Sequence, residues 1–416
     1  MNDMTLKNVE RFDMVEEIRV IKWYLRLLTW IISFPTVWLQ RSKISKEGMN
    51  GIKGSYLMLC NHNAFLDFMV ATAAIFPRSA NYVVAIDGFI KREKLLRDVG
   101  CICKRKFTND PILIRHLMRV AKKGQIIALY PEARYSLCGT NAILPQSLAK
   151  LVKHLHVPVA TFLTKGHHIN SPFWNLEKRG NRTEAHMKLI LTKEDVERMS
   201  VEEVNEIINK EFVYDDFKWQ YENKVRVKYK NRAKGLHKVL YQCPNCKSEY
   251  KMGSEGTQIF CKNCNKRWQM TEYGRLEALE GKTEFAHIPD WYEWERAQVR
   301  KQIDDGTYMF DKKVHIDSLP NAKGYIPLGE GYLIHNMDGF ILTGTSDEEE
   351  FRIEWPAKRL YSCHIEYEYL GKHGDCVDLN TLNDTLYIYP EGDDFSVTKI
   401  SLATEELYKK LNNIEG

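Results

Sequence analysis

Long hydrophobic runs are scarce in this 416-residue chain. The apolar run Leu27 to Leu39 covers 13 residues and is interrupted by Pro35, against the roughly 20 that a spanning helix needs. A secretory leader is also missing from the expected layout, because acidic and basic residues alternate through Val9 to Arg19 before any apolar run. Disulfide patterning is lacking too. Of the ten cysteines, four fall in metal-ligand spacing and six are scattered, as Cys60, Cys101, Cys103, Cys138, Cys363 and Cys376, which suits a reducing compartment. A composition of 44% hydrophobic and 28% charged residues excludes both disorder and a polytopic membrane protein. What remains is a globular chain long enough for two or three domains.

The first 45 residues stand apart. From Ile21 the chain reads IKWYLRLLTWIISFPTVWLQR, with Trp23, Trp30 and Trp38 among the aliphatics and Lys22, Arg26, Arg41 and Lys43 at the flanks. Tryptophan suits the headgroup boundary and flanking cations suit anionic lipid, so residues 1–45 are expected to form membrane-interfacial helices. The competing reading is a hairpin packed on the protein's own core.

Between residues 46 and 235 short apolar strands alternate with helical segments. Strands are expected near Ser55 to Cys60, Asn81 to Ile86, Gln125 to Tyr130, Pro158 to Leu163 and His186 to Leu191. Helices are expected near Phe68 to Phe76, Pro111 to Lys122, Gln146 to Leu155 and, with Thr192 as N-cap, Lys193 to Phe212. This alternation argues an α/β fold with a mostly parallel sheet flanked by helices, in which ligands bind outside the strands' carboxyl ends. Lys218 to Lys234 reads as a polar connector.

At the exit of the first of these strands lies Asn61-His62-Asn63-Ala64-Phe65-Leu66-Asp67. Five residues is not a helical-neighbour interval, so the loop itself must bring the carboxylate against the imidazole. If it does, Asp67 fixes the tautomer of His62 and leaves the other ring nitrogen free to take a proton from a hydroxyl. Spacing alone is weak: His373 and Asp378 repeat it in a turn region with no strand-to-helix junction. Companion motifs single out the first pair. Gly100 is followed by Arg105, Tyr130-Pro131-Glu132-Ala133-Arg134-Tyr135-Ser136 follows the strand Gln125 to Leu129, and Val157-Pro158-Val159 opens another.

Taken in order, these four blocks resemble those of the glycerolipid acyltransferases of the lysophosphatidic acid acyltransferase type: NHxxxxD, a glycine followed by an arginine, FPEGTRS and a VPV-like strand start. The resemblance covers about residues 46 to 235. It implies His62 as general base, Asp67 as its orienting partner, Arg105 as a phosphate ligand of the acceptor and Glu132 as an acceptor-site residue. The third block departs from the pattern, with Ala133 where the family has glycine, Arg134 where it has threonine and Tyr135 where it has arginine. A glycine there serves a positive backbone dihedral or a close approach, which alanine does not offer cheaply. Arg134 either offers its planar fork to a phosphate or makes an ordinary surface ion pair.

Around the second block, Lys91 to Lys123 contains eleven basic and three acidic residues, an excess of eight against a net charge of +5 for the whole chain. Such a field draws phosphates, an acidic carrier protein or anionic headgroups, although charged runs also form plain solvated helix faces. Cys101 and Cys103 sit beside it, read either as packed apolar residues or as a thiolate nucleophile.

Beyond the α/β region, Cys243 and Cys246, then Cys261 and Cys264, form two Cys-x2-Cys knuckles separated by fourteen residues. Four thiolates at this spacing predict structural Zn2+ in a ribbon over 236–275, too small to fold unaided. Its Lys247, Lys251, Lys262, Lys266 and Arg267 with Trp268 form a basic face, but nucleic acid is not the expected partner. Residues 276–312 read as a helical linker. From 313 to 416 the runs GYLIHN, GFILTGT, EEFRIEW, LYSCHIEYEYLG and DTLYIYP, then a helix from Ser401 to Asn413, suggest an antiparallel, β-barrel-like domain of pleckstrin-homology type. The expectation is thus an enzyme that moves an acyl chain from acyl-CoA or acyl carrier protein to a lyso-lipid hydroxyl, foremost 1-acylglycerol-3-phosphate. It would act at the cytoplasmic face of a membrane as a peripheral or monotopic protein. The alternatives are another lyso-lipid or amine acceptor, or a lipid- or protein-binding module without catalysis.

Overall fold

A computed structural model describes residues 9–64, 66–346 and 349–414; Phe65 of the His62 loop and the first eight residues of the N-terminal segment lie outside them. The chain divides into two compact units. The first comprises Asp13–Lys104 and Asp110–Val227, and the second the described parts of Met1–Phe12, Arg105–Asn109 and Lys228–Gly416.

The first unit opens with α1 (Trp23–Leu39) and β1 (Lys43–Glu47). There follow β2 (Leu57–Cys60), α2 (Asp67–Ala74), β3 (Ala80–Ala85), α3 (Glu93–Asp98), β4 (Ile102–Lys104), α4 (Pro111–Lys122) and β5 (Ile126–Leu129). It closes with α5 (Ser147–Leu155), β6 (Val159–Lys165), α6 (His167–Asn170), β7 (Glu184–Leu191), α7 (Lys193–Arg198), α8 (Val201–Glu211) and α9 (Asp216–Glu222). The seven strands form one sheet in the order β1-β7-β6-β2-β5-β3-β4, parallel throughout except for β6 against β7. Residues β2 and β5 are buried along their whole length, as strands covered on both faces must be.

Alternation along β2 and β5 splits the core in two. Leu57, Leu59, Ile127 and Leu129 pack with Leu113 and Leu117 of α4, Leu148 and Val152 of α5 and Ile208 of α8. Met58, Cys60, Ile126 and Ala128 face the other way, onto Val70, Ala71 and Ala74 of α2, with Val37 of α1 against that cluster. Successive residues of a strand point to opposite faces, so four-residue strands suffice to hold both layers. The expected mostly parallel sheet between helices is what the chain forms.

Several elements differ from the sequence reading. Among the described residues, the segment expected at the membrane interface holds one helix, α1, which runs through Pro35 instead of breaking there. The polar run Lys43–Glu47 is an edge strand paired with β7, its charges hiding it from an apolar-run criterion. The expected helix Lys193 to Phe212 is two helices, because Ser200 takes extended dihedrals and caps α8 in a capping box with Glu203, as Thr192 caps α7 with Asp195. The supposed connector, Lys218 to Lys234, starts inside α9, a helix capped by the Asp215 side chain and burying Phe217 and Trp219.

In the second unit, β8 (Met252–Glu255), β9 (Gln258–Cys261), β10 (Arg267–Met270) and β11 (Leu276–Ala278) make a four-stranded antiparallel sheet. A long helix, α10 (Ile288–Asp304), follows with Pro289 in its first turn. The rest is a seven-stranded antiparallel sheet of β12 (Phe310–Ser318), β13 (Ile326–Asn336), β14 (Gly339–Ser346), β15 (Glu349–Pro356), β16 (His364–Glu366), β17 (Cys376–Asn380) and β18 (Thr385–Pro390). Its order, β15-β14-β13-β12-β18-β17-β16, leaves β15 and β16 as edges among the described residues. The expected antiparallel domain is therefore present as a seven-stranded sheet. The chain ends on α11 (Val397–Leu411).

Candidate active site

Asn61 begins the site by tying the exit of β2 to the end of β6. Its amide donates to the Thr164 carbonyl (2.9 Å) and its carbonyl accepts from the Thr164 amide (2.8 Å) and hydroxyl (3.0 Å). His62 follows, its backbone held on both sides: the amide donates to Glu132 Oε2 (3.4 Å) and the carbonyl accepts from the Ser136 amide (2.8 Å). The loop then turns into α2, whose first residue is Asp67. Asp67 Oδ2 accepts the backbone amides of Asn63 (2.6 Å) and Ala64 (2.8 Å) and faces His62 Nδ1 at 3.3 Å. The non-helical five-residue interval works because the carboxylate caps the loop that carries the imidazole.

A residue unnoticed in the sequence completes the carboxylate. His167, in the first turn of α6, places its Nδ1 2.6 Å from Asp67 Oδ1. Burial alone would raise the Asp67 pKa, but the hydrogen bonds from His167 and then His62 overcome it and bring the group down to about 2. Asp67 is therefore an ionised acceptor, and an ionised carboxylate only accepts. An Nδ1–H on each ring is what this acceptor takes, and in that tautomer the ring nitrogen of His62 left to accept a proton is Nε2. The His62 side chain is 24% exposed, enough for a hydroxyl to reach it. Tyr130 and Tyr135 flank the ring at centroid distances of 4.5 and 4.0 Å, and Tyr135 stacks on Phe173 at 5.3 Å.

Glu132 lies next to the His62 loop. It is buried, with Oε1 accepting the Ala142 amide (2.5 Å), Oε2 facing the His62 amide and both oxygens within 3.0 Å of the Tyr214 hydroxyl. Burial raises its pKa to about 7 against these hydrogen bonds and the nearby charge of Arg134. Its visible task is to hold the His62 loop. Arg134 is buried beside it, which sets aside the surface ion pair. Ala133 takes φ +54°, the left-handed conformation that the glycine of this block would supply at lower cost.

Arg105 is held by protein acceptors. It belongs to the second unit, where its buried guanidinium donates from Nη1 to the Leu319 carbonyl (3.0 Å) and Thr385 Oγ1 (2.9 Å), and from Nη2 to the Pro320 (2.9 Å) and Asn383 (3.0 Å) carbonyls. All four η protons are engaged, so a phosphate would have to displace protein acceptors. The Cys101 thiol is pushed up to about 12 by burial, which favours packing over nucleophilic use. Asp378 accepts from Lys106 Nζ (2.9 Å) while His373 stacks on His315 at 4.6 Å. The repeated spacing there joins no pair.

The four ribbon cysteines converge, their sulfurs lying within 4.8 Å of one another. Cys243 to Cys264 and Cys246 to Cys261 are each 3.7 Å apart; a tetrahedral Zn–S shell with bonds near 2.3 Å requires about 3.8 Å. The two knuckles are built alike. Lys247 and Asn265, both with positive φ, donate their amides to the Cys243 and Cys261 carbonyls at 2.9 Å. The expected basic face is partly neutralised, since Lys266 pairs with Glu284 at 2.5 Å.

Residues 36–165 match the Acyltransferase family model. That segment holds the His62 loop, Arg105, Glu132 and the whole of β6. Among solved structures, one match is the crystal structure of the 1-acyl-sn-glycerophosphate (LPA) acyltransferase PlsC from Thermotoga maritima. It shares 13% identity, covering 45% of this chain and 79% of that one, with a TM-score of 0.35, too distant a likeness to bear on the reaction. No curated protein matches.

Proposed function

We propose that the chain transfers an acyl group from a thioester to a lyso-lipid hydroxyl. The observation that carries this reading is the geometry of His62, with Nδ1 facing an ionised carboxylate on a partly exposed ring at the carboxyl end of parallel strands. His62 Nε2 takes the hydroxyl proton, the oxygen attacks the thioester carbonyl, the carbon–sulfur bond breaks, and the leaving thiolate regains the proton from His62. No acyl-enzyme is needed. The donor is acyl-CoA or acyl carrier protein. The match of residues 36–165 to the acyltransferase model supports the reaction class.

Two acceptor readings follow. The order of the motifs favours 1-acylglycerol-3-phosphate. A different lyso-lipid or an amine is favoured by the engaged guanidinium of Arg105 and by Tyr135 standing beside His62 where the family has arginine. The exposed aromatic and aliphatic side chains of α1 support a peripheral or monotopic place on the cytoplasmic face of a membrane. Zn2+ held by Cys243, Cys246, Cys261 and Cys264 would serve structure; bound there, four thiolates supply a closed shell with no position for water.

The test is release of free thiol from each donor, with 1-acylglycerol-3-phosphate and with phosphate-free lyso-lipids, for wild type and His62→Ala. General-base loss is expected to lower kcat about 10²- to 10⁴-fold with KM largely kept, and His373→Ala should match wild type. A His62→Ala protein with near-normal turnover would sink the assignment. Thiol release from neither donor with any acceptor would leave the non-catalytic binding role.

A further inference from the structure

Asp67 is shared by two histidines, and only one of them has a part in the proton transfer proposed above. We propose that His167 is a positioning residue, which locks the Asp67 carboxylate so that His62 is held with its proton on Nδ1. This rests on the acyl-transfer reading for its kinetic consequence, though not for its spectroscopic one.

The argument begins with the turn that carries His167. Gly166 has φ +82°, and a Cβ there would lie 2.7 Å from the Trp219 ring and 2.9 Å from the Arg182 carbonyl, so the position takes glycine for both reasons. Asp216 Oδ2 accepts the amides of Gly166 and His168, each at 3.0 Å. The backbone on both sides of His167 is thereby fixed. Its side chain is 1% exposed.

The four bonds to Asp67 are unequal. Oδ2 receives two short backbone bonds and a longer one of 3.3 Å from His62, whereas Oδ1 receives the 2.6 Å bond of His167. A carboxylate fixed only through Oδ2 keeps a rotation about its own axis that costs the weakest partner first, and that partner is His62. With Oδ1 anchored, this rotation is closed. The titratable groups around the assembly are Glu132, Tyr130 and Tyr135 on the His62 side and Asp216 and His168 on the His167 side.

Three measurements on the full chain test the proposal. Imidazole ¹⁵N spectra, with His62 assigned by its absence in His62→Ala, should show Nδ1-protonated His62 in wild type and a tautomer mixture in His167→Ala. Turnover of His167→Ala should fall roughly 10- to 100-fold, the scale of a small misplacement, with KM within about twofold. His167→Asn, whose amide can donate from near the Nδ1 position, should restore most of both. A His62 tautomer and kcat unchanged in a folded His167→Ala would overturn it, as would losses that track folded fraction alone without rescue by asparagine. If instead His62→Ala itself retains turnover, the acyl-transfer reading fails while the tautomer measurement still judges His167.

Discussion

Four η protons meeting four protein acceptors make any change at Arg105 a stability experiment. In Arg105→Met the Leu319, Pro320 and Asn383 carbonyls and the Thr385 hydroxyl lose their buried donor. At about 1 kcal/mol for each orphaned acceptor, the expected loss is roughly 4 kcal/mol in denaturant unfolding, with acceptor KM unchanged for the folded protein. A tenfold rise in KM confined to phosphate-bearing acceptors, at unchanged stability, would return Arg105 to the substrate. Motif order led to this residue but carried no information about its direction, which depends on a sheet more than two hundred residues away. His62 and Asp67 were legible because the loop that joins them is local, while His167 was not, since its approach depends on β6 lying next to β2. Ala133 lies between: the family's glycine pointed to a left-handed position, and alanine occupies it at φ +54°.

Helices followed the same rule of local information. The helix expected near Pro111 to Lys122 coincides with α4, which the structure shows capped by the Asp110 side chain with Pro111 in its first turn. The break between α7 and α8 was also written locally, in Ser200 and Glu203, but a continuous apolar period masked it. In α1 the periodicity has a consequence for binding. Trp30 and Phe34 pack their rings on Phe76 at 4.9 and 5.4 Å, while Trp23, Ile31 and Trp38 stand 73%, 67% and 78% exposed. A helix of 17 residues is about 26 Å long, short of the hydrocarbon core, and no described helix is long and apolar enough to cross a membrane. The helix is thus anchored through part of its surface, while Trp23, Ile31 and Trp38 stay in solvent, with the exposed Lys22 and Arg41 beyond its two ends. Each such side chain contributes about 1.5–3 kcal/mol on full burial, so the Trp23→Ala, Ile31→Ala, Trp38→Ala triple variant should lose at least tenfold in flotation with anionic liposomes. Equal flotation of variant and wild type would remove α1 from membrane contact.

At the scale of the whole molecule, the proposed catalytic residues and the four-cysteine cluster fall in different units. His62, Asp67 and His167 belong to the first, and the four-cysteine cluster to the second. The cysteine spacing was legible because ligand geometry is set within each knuckle. The extent of the second unit was not, as Arg105–Asn109 joins it from within the sequence of the first. Trp268 on β10 is fully buried, donates Nε1 to Glu284 (3.0 Å) and meets Trp291 edge-on at 5.0 Å, so its emission reports directly on the ribbon. Stripping the metal with a chelator should remove the folding free energy that a four-thiolate site supplies and shift tryptophan emission to the red, a change that Trp268→Phe should diminish. Thiol release should stay within about twofold, because a closed tetrahedral shell has no open position from which to activate water or a carbonyl. The opposite pattern, turnover lost while tryptophan emission stays unchanged, would mean that the metal acts in the reaction and that the division of labour between the two units is wrong.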